Sequence, residues 1–315
     1  ISFRAKWLTG SNQVNSRLYF NYLQKTHLLD LPEIWGTPGT VNSTATGNVG
    51  PTLTQLSHSP AVPNSGQATT VTIAASDPNG INNLTLKYSV NGAAFQFTSM
   101  TSNGEGIYSG IIPGQSASRI VRFYVEASDQ ASASSLYPSA GAEGGAFYKV
   151  QDNLADNTGL RHNFRIIMSD SDRSFLFRNT NRMSNDRFSV TVIEDESTVY
   201  YDVGLRLKAS GFGRFNSGHY GFNIRFQPDQ LFRGVHKSVS IERSPNLKEI
   251  LAKHLMNRAG GGYWSFYDDV AYIIPPTTND RGVGLISMAR QTETFFDGLF
   301  PDTDESGTLF NHELL

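Results

Sequence analysis

The sequence predicts a multidomain chain in which an all-β sandwich of immunoglobulin type precedes an α+β domain. Apolar residues alternate with polar ones along residues 51–150 and turn signals separate the runs, which is the pattern of a β-sandwich. Residues 151–315 are predicted to form the α+β domain, because strands continue from Asp152 onward and one capped helix interrupts them. A polar segment over residues 36–50 is predicted to be a linker.

Composition narrows the possible functions. The chain has 315 residues, a formal net charge of -2 and no cysteine. A nearly neutral chain is not expected to be a general nucleic-acid binder, which would be strongly basic. Without cysteine there is no disulfide or thiolate metal site, which is compatible with an exported bacterial protein. No apolar run reaches the roughly 20 residues of a membrane helix, so no transmembrane segment is expected in this piece.

Residues 1–35 are predicted to be the C-terminal tail of an upstream β domain. Two runs of alternating apolar and polar residues, separated by a turn at residues 9–12, indicate a β-hairpin. A two-stranded hairpin is only marginally stable alone. The alternating residues are Phe3, Ala5, Trp7, Leu18, Phe20 and Tyr22. Because the chain starts with Ile1 inside a strand-like phrase, we interpret it as a piece of a longer polypeptide.

The sandwich prediction for residues 51–150 depends on three strands and one turn. Asn91 and Gly92 are the strongest short hairpin signal, because both central residues of a type I′ turn need a positive φ. Phe95 and Phe97 are predicted to open the returning strand. The alternating residues of the long strands are Val71, Ile73, Ala75, Leu84, Leu86, Tyr88, Val90, Val121, Phe123, Val125 and Ala127.

The densest pattern in the chain lies between Val199 and Arg243. Period-two alternation predicts three strands there, and a glycine-rich loop over residues 209–214 joins the first two. Basic side chains beside glycines suit an anion, because they supply charge and the loop supplies free N–H groups. The alternative is a solvated outer sheet face, where basic residues protect edges. The basic residues are Arg206, Lys208, Arg214 and Arg225, and the apolar positions of the first strand are Val199, Tyr201, Val203, Leu205 and Leu207.

One helix is predicted after this sheet. Ser244 serves as its N-cap and Pro245 occupies its first position. His254 falls on the apolar stripe of this helix and is predicted to be a hydrogen-bonded core histidine. Further strands are expected over residues 270–274 and 283–288. The stripe consists of Leu247, Ile250, Leu251 and Leu255.

Several short phrases follow one another in the order seen in the CotH kinase family, and residues 160–315 resemble the N-terminal part of that family. The phrases are Arg206-Leu-Lys-Ala-Ser-Gly211, Phe232-Arg-Gly234, Leu247-Lys-Glu-Ile-Leu-Ala252, Gly284-Leu285 and Asp304-Glu-Ser-Gly-Thr-Leu309. The resemblance implies that the α+β domain is the N-lobe of a CotH-type atypical protein kinase. An immunoglobulin-like module before such a domain also resembles large exported bacterial proteins.

The resemblance implies a nucleotide site that holds ATP with Mg. The residues implied in binding are Arg206, Lys208, Ser210, Gly211, Gly213, Arg214, Arg225 and Glu249. Glu249 would take the part of the helix glutamate that pairs with a kinase lysine, although it also forms an i,i+4 pair with Lys253 that is typical of a solvent-facing helix surface. The catalytic aspartates of the family would lie beyond Leu315, so this piece is expected to be inactive alone.

A calcium loop is a further possibility near the C-terminus. The spacing D-x-D-x-S-G-x5-E matches the calcium loop of an EF-hand. Its candidate ligands are Asp302, Asp304, Ser306, Thr308 and Glu313. Pro301 argues against it because proline would interrupt the entering helix, and the CotH comparison interprets the same residues as a turn before a strand.

Two functions therefore remain open at the level of sequence. The first is the nucleotide-binding lobe of an exported, kinase-like protein, whose own catalytic activity is uncertain. The second is a non-catalytic adhesion or binding module at the cell surface, built from immunoglobulin-like and CotH-like domains. In both, the expected location is extracellular or on the bacterial surface, and the expected partner is an extracellular protein or cell-surface component rather than a nucleic acid.

Overall fold

The computed structural model describes residues 13–18, 21–28, 46–208, 214–215, 220–242, 248–259, 268–277 and 281–288. The chain divides into two compact units, Ile1–Val49 and Gly50–Leu315. In the first unit, β1 (Gln13–Leu18) pairs antiparallel with β2 (Asn21–Leu28). A hairpin is therefore present near the N-terminus, while the strand and turn predicted over residues 3–12 lie outside the described residues.

The second unit begins with two β-sheets. Its first strands are β3 (Thr52–Ser59), β4 (Thr69–Ser76), β5 (Ile81–Val90), β6 (Gln96–Ser99), β7 (Thr101–Ser102), β8 (Ile107–Ile112), β9 (Ile120–Asp129), β10 (Ser134–Tyr137) and β11 (Phe147–Lys149). One sheet has the order β3-β4-β8-β7 and the other the order β10-β9-β5-β6, with β11 also paired to β9. Alternating residues of both sheets, such as Ile73, Leu86 and Phe123, form one buried core between them.

A closed seven-stranded barrel follows the two sheets. Its strands are β12 (His162–Ile167), β13 (Phe188–Glu194), β14 (Thr198–Leu207), β15 (Phe222–Arg225), β16 (Ser238–Glu242), β17 (Asp268–Ile274) and β18 (Gly282–Ser287). They pair in the order β12-β13-β14-β15-β16-β18-β17, and a parallel pairing of β12 with β17 closes the ring. The expectation of an α+β kinase N-lobe is therefore wrong: the described strands form a barrel instead of an open sheet covered by a helix.

Helices contribute little to the described fold. α1 (Asp170–Leu176) begins after Ser169, whose hydroxyl accepts a hydrogen bond from the Asp172 amide at 3.0 Å. α2 (Lys248–Arg258) leaves Leu251 and Leu255 of the predicted apolar stripe exposed, and Leu247 lies outside the described residues. His254 is also exposed, and its assignment as a core histidine is wrong. None of the described helices is long and apolar enough to span a membrane.

A β-bulge changes the direction of side chains in β14. The pairing of β13 with β14 shifts register between Val190 and Val192, and Asp202 has a positive φ of 51°. As a result, Tyr200 packs inside the barrel while Tyr201 joins the core of the two sheets. The sequence pattern placed Tyr201 on the same face as the later apolar residues of this strand, and the extra residue at the bulge explains the difference.

The sandwich formed by β3–β11 packs directly against the barrel. Phe147, Ile167 and Ile193 form a buried apolar cluster between them. The Thr191 hydroxyl accepts from the Phe147 amide at 2.8 Å and donates to the Gly145 carbonyl at 2.6 Å. Sandwich and barrel are therefore joined by apolar packing and hydrogen bonds within one compact unit.

Candidate functional site

Of the predicted anion-binding residues, Arg206 lies on the outer face of β14, and Lys208 directly follows the end of that strand. Lys208 forms an ion pair with Glu242 of β16. Arg206 donates from Nη1 to the Asn185 Oδ1 atom and to the Leu207 carbonyl oxygen, both at 3.2 Å. A carboxylate on the barrel itself thus neutralises Lys208, which argues against its predicted role in holding an external anion.

Arg214 and Arg225 differ in burial and in their contacts. Arg214 is 5% exposed and donates to the carbonyl oxygens of Arg182 at 3.1 Å and Ser184 at 2.8 Å, and to the Asn185 Oδ1 atom at 2.7 Å. These contacts hold the segment before β13, so Arg214 has a structural role. Arg225, in contrast, is exposed on the outer face of β15.

The remaining predicted nucleotide-binding residues cannot be placed in a site. Ser210, Gly211 and Gly213 lie outside the described residues, and Glu249 belongs to α2 with its side chain outside the described part.

The prediction of a kinase-type cleft that binds ATP is wrong, because β14 and β15 belong to a closed barrel. The barrel interior between them is filled by apolar side chains, including Leu205, Leu207 and Ile224, each at most 2% exposed. A kinase N-lobe instead keeps a cleft beneath an open sheet for the nucleotide. Among the described residues, apolar side chains occupy the inner side of this barrel.

The candidate calcium loop over residues 302–313 lies outside the described residues. Within the parts of the chain that are described, no group of three or more His, Asp or Glu side chains could hold a metal ion.

The outer face of the β5–β6–β9 sheet carries a cluster of aromatic side chains. Lys87 of β5 lies directly opposite Phe97 of β6 on one side and Tyr124 of β9 on the other. Residues directly opposite each other in antiparallel strands share one face, so all three side chains project outward. Phe95 precedes β6 and packs edge-on against Tyr124 with ring centroids 5.3 Å apart. We call Phe95, Phe97, Tyr124, Lys87 and Glu126 the aromatic face.

Phe97 is the most exposed ring of the aromatic face. It is 75% exposed, whereas Phe95 and Tyr124 are half-buried. Transferring a phenylalanine side chain from water to an apolar contact stabilises by about 2 kcal/mol, so a ring left in water is a ready binding contact. β6 is a short edge strand, and its aromatic ring therefore lies at the rim of the sheet.

A fixed ion pair lies beside the rings. Lys87 Nζ is 2.5 Å from Glu126 Oε2 and 5.8 Å from the centroid of the Tyr124 ring. The hydrogen bond to Glu126, opposed by burial and aided by Tyr124, raises the pKa of Lys87. The ammonium and carboxylate groups thus hold each other in place, and both remain partly exposed, with side chains 32% and 40% exposed. They can donate and accept hydrogen bonds next to the rings.

The barrel covers the neighbouring part of the same sheet face. Arg122 of β9 stacks over Phe147 with its Cζ atom 4.8 Å from the ring centroid. The Arg122 guanidinium donates to the Ala142 carbonyl at 2.8 Å and to Asp172 of α1 at 3.0 Å. The sheet face therefore has a closed part against the barrel and an open part that bears the aromatic face.

Sequence reasoning did not identify the aromatic face. It interpreted Phe95 and Phe97 only as the start of a strand and did not consider Tyr124. The available signal was that Phe123 and Val125 face the core, which turns Tyr124 outward. Phe95 and Phe97 share a face at period two, but which face is settled by the pairing of Phe97 with Lys87.

A second cluster of charged residues closes one end of the barrel. Arg233 donates from Nη2 to Glu194 at 2.6 Å and to Asp269 at 2.7 Å, and the same atom lies 3.1 Å from the His162 Nε2 atom. Its backbone amide donates to the Tyr200 hydroxyl at 3.1 Å. Because Arg233 contacts both carboxylates at once, this cluster joins β12, β13, β14 and β17 and acts as a structural closure of the barrel.

Comparison with known proteins assigns neither a ligand nor a residue role to this site. Neither a family model nor a curated protein matches the chain. A crystal structure of a Br derivative of BhCBM56 matches 28% of this chain and 82% of its own, at 10% identity and a TM-score of 0.21.

Two structures from Listeria monocytogenes give similar values. One is an uncharacterized protein in complex with glucose, magnesium and calcium, at 10% identity and a TM-score of 0.26, with 56% of this chain and 14% of that chain covered. The other is a cycloalternan-forming enzyme in complex with a pentasaccharide substrate, at 11% identity and a TM-score of 0.26, with 59% and 15% covered. Such TM-scores carry no argument about ligand or fold, and membership of the CotH family stays a prediction.

Proposed function

We propose that the chain is a non-catalytic binding module of an extracellular or cell-surface protein, and that its aromatic face binds carbohydrate. The observation that carries the proposal is the exposed Phe97 ring beside Tyr124 and the Lys87–Glu126 ion pair on one sheet face. A sugar ring presents an apolar C–H surface and polar hydroxyl groups at its edge. Aromatic rings match the first and a fixed ion pair matches the second.

The size of the aromatic face favours a sugar over a protein partner. A stable protein interface buries about 800 Å² on each partner. The aromatic face is bounded by the edge strand β6 on one side, and by the contacts of Arg122 with the barrel on the other. Three rings beside one ion pair form a small patch, comparable with the few aromatic and polar groups that orient a small ligand.

The test is binding of soluble neutral polysaccharides, measured by affinity electrophoresis and calorimetry. Phe97→Ala removes an exposed ring at the sheet edge and leaves the core intact, so we expect about tenfold weaker binding with unchanged folding. Ile111→Ala is the matched control, since Ile111 is 59% exposed on β8 of the opposite sheet. Equal binding by wild type and Phe97→Ala, or an equal loss in Ile111→Ala, contradicts the proposal.

A further inference from the structure

The apolar surface of the aromatic face continues onto β10, the outer strand at the opposite edge of the same sheet. Leu136 of β10 lies directly opposite Glu126 of β9, so its side chain projects outward beside the ion pair. A Cβ atom at Gly141 would lie 2.9 Å from the Leu136 Cδ1 atom and 3.9 Å from the Tyr124 Cε2 atom. Leu136 is 38% exposed, and it therefore extends the apolar surface of Tyr124 towards the sheet edge.

Two neighbouring rows of outward side chains cross this sheet. The first row runs over β6, β5 and β9 and consists of Phe97, Lys87 and Tyr124. The second row runs over all four strands and consists of Ser99, Thr85, Glu126 and Leu136. Apolar side chains thus lie on both outer strands and on β9, while the ion pair and two hydroxyl groups lie among them.

Phe97 and Leu136 are too far apart to contact one sugar ring. They belong to β6 and β10, which are the two ends of the strand order β10-β9-β5-β6. Neighbouring strands are about 4.8 Å apart, so these outer strands are separated by about 14 Å. A single sugar ring is comparable in width to one aromatic side chain and covers one of the two contacts. A chain of several sugars covers both, with Tyr124 between them.

Contacts with the barrel determine the direction in which such a chain can lie. Arg122, two residues before Tyr124 on β9, stacks over Phe147 and donates to Asp172 of α1. Ser89, which lies directly opposite Arg122 on β5, is only 3% exposed. That end of the two central strands is therefore covered, and a long ligand is prevented from continuing along them. The direction across the strands follows the line of apolar contacts instead.

We propose that the aromatic face and Leu136 together bind a neutral polysaccharide chain, laid across the four strands and held through several consecutive sugar units. The inference rests on the proposed carbohydrate binding and adds the class of ligand, the interior of a chain instead of a single sugar or a chain end. Phe97, Tyr124 and Leu136 pack against successive sugar rings. Lys87 and Glu126 bond to hydroxyl groups between these contacts, and their opposite charges favour an uncharged chain.

The test begins with affinity electrophoresis on β-1,4-linked glucan, xylan and mannan, β-1,3-linked glucan and α-1,4-linked glucan. Calorimetry then compares the monosaccharide, trisaccharide and hexasaccharide of the polysaccharide that retains the wild type best. Affinity should rise about tenfold or more from the monosaccharide to the hexasaccharide, because each further ring gains an apolar contact. A hexasaccharide whose reducing end has been opened with borohydride should bind as tightly as the intact one, since interior units make the contacts.

Leu136→Ala distinguishes this inference from the proposed function, because Leu136 is not part of the aromatic face. The variant should weaken hexasaccharide binding several-fold and leave the circular dichroism spectrum unchanged. Leu160→Ala is the matched control, since Leu160 is 78% exposed in the segment before β12, and it should bind as the wild type does.

The possible outcomes separate the two proposals. If a polysaccharide retains the wild type but its monosaccharide binds as tightly as its hexasaccharide, carbohydrate binding stands and the chain inference is overturned. The same conclusion follows if the opened hexasaccharide loses affinity, or if Leu136→Ala binds as tightly as Leu160→Ala. If no polysaccharide in the panel retains the wild type, both proposals are overturned.

Discussion

The Nδ1 atom of His58 lies 2.5 Å from the hydroxyl oxygen of Tyr201, a contact that joins the sandwich to the barrel. The other ring nitrogen, Nε2, lies 3.0 Å from the Ala61 carbonyl oxygen. A carbonyl can only accept, so Nε2 carries the hydrogen and Nδ1 accepts from Tyr201. His58 is therefore neutral in the folded protein, and burial raises the pKa of Tyr201, which keeps its hydroxyl a donor.

This buried histidine predicts a loss of stability in mild acid. Burial lowers the pKa of His58 from 6.5 to about 4, although the Ala61 hydrogen bond acts in the opposite direction. Between these values the unfolded chain binds a proton that the folded chain does not. The free energy of unfolding should therefore fall by about 3 kcal/mol as the pH drops from about 6.5 towards 4. Urea unfolding followed by circular dichroism at several pH values measures this change.

His58→Gln is the control for that prediction, because glutamine can also bond to Tyr201 and to a carbonyl but does not titrate. Its unfolding free energy should vary less with pH over the same window. If both proteins lose stability equally between pH 6.5 and pH 4, His58 is not the responsible group.

Arg165 is expected to be essential for stability. It is 1% exposed and donates to both oxygens of Asp152 at 3.0 and 2.9 Å and to both oxygens of Glu196 at 2.9 and 2.8 Å. Arg165→Met leaves the nearly buried Asp152 carboxylate without this partner, so it should cost about 3–5 kcal/mol. Chemical denaturation measures the loss. Arg173→Ala, which breaks a partly exposed helix ion pair with Asp170, should cost less than about 1 kcal/mol.

A second measurement separates charge from packing at this site. Burial tends to raise the pKa of Asp152, but the charges of Arg165 and Lys149 outweigh it and lower the pKa overall. In the wild type, Asp152 therefore contributes stability that is lost as the pH falls through its lowered pKa. In an Arg165→Met/Asp152→Asn double variant, part of the loss should be recovered. A double variant as unstable as Arg165→Met alone would contradict the electrostatic explanation.

Gly145 is predicted to tolerate no larger residue. A Cβ atom there would lie 2.8 Å from the Ser189 carbonyl carbon and the Val190 nitrogen, which belong to the backbone of β13. Gly145→Ala should therefore push the sandwich away from the barrel and destabilise the protein by about 1–3 kcal/mol. Gly47→Ala, where a Cβ atom would meet nothing within 4 Å, should change stability by less than about 0.5 kcal/mol. Similar melting temperatures for the two variants would show that the interface is not tightly packed at Gly145.

Removal of Arg233 should open one end of the barrel. Its side chain is 35% exposed, so solvent weakens the pairs with Glu194 and Asp269, and Arg233→Ala should cost about 1–2 kcal/mol. The effect should shrink at high salt, because exposed ion pairs are screened. Hydrogen exchange on β12 and β17 is the measurement, since these strands meet there. Unchanged exchange on both strands would assign closure of the barrel to backbone pairing alone.

Local sequence patterns predicted many of the strands, but they did not predict that the strands after residue 160 close into a barrel. Alternation identified β14 and β15 because their inward residues, such as Leu205 and Ile224, are uniformly apolar. The pairing of β12 with β17 joins residues about a hundred positions apart, and no local signal reports such a contact. The apolar stripe of α2 was also a misleading signal, since Leu251 and Leu255 remain exposed.

The candidate sites also depend on contacts between strands that local sequence patterns do not predict. Basic residues near glycines suggested an anion site, but which of them meet depends on cross-strand register. The register brings the Arg187 guanidinium onto the Gly204 carbonyl of β14, and it places Lys208 beside Glu242 of β16, with which it forms an ion pair. The spacing of residues along the chain predicts neither of these cross-strand contacts.

Because of the bulge at Asp202, the sandwich and the barrel each need the other to complete their packing. This matters when either is produced as a recombinant fragment. It turns Tyr201, a residue of the barrel, into the sandwich core beside His58 and Phe123. A fragment that stops near residue 150 would have a hole where that phenol ring belongs, and a fragment that starts there would expose the ring to water. Neither fragment should be expected to behave as a soluble, well-ordered specimen on its own.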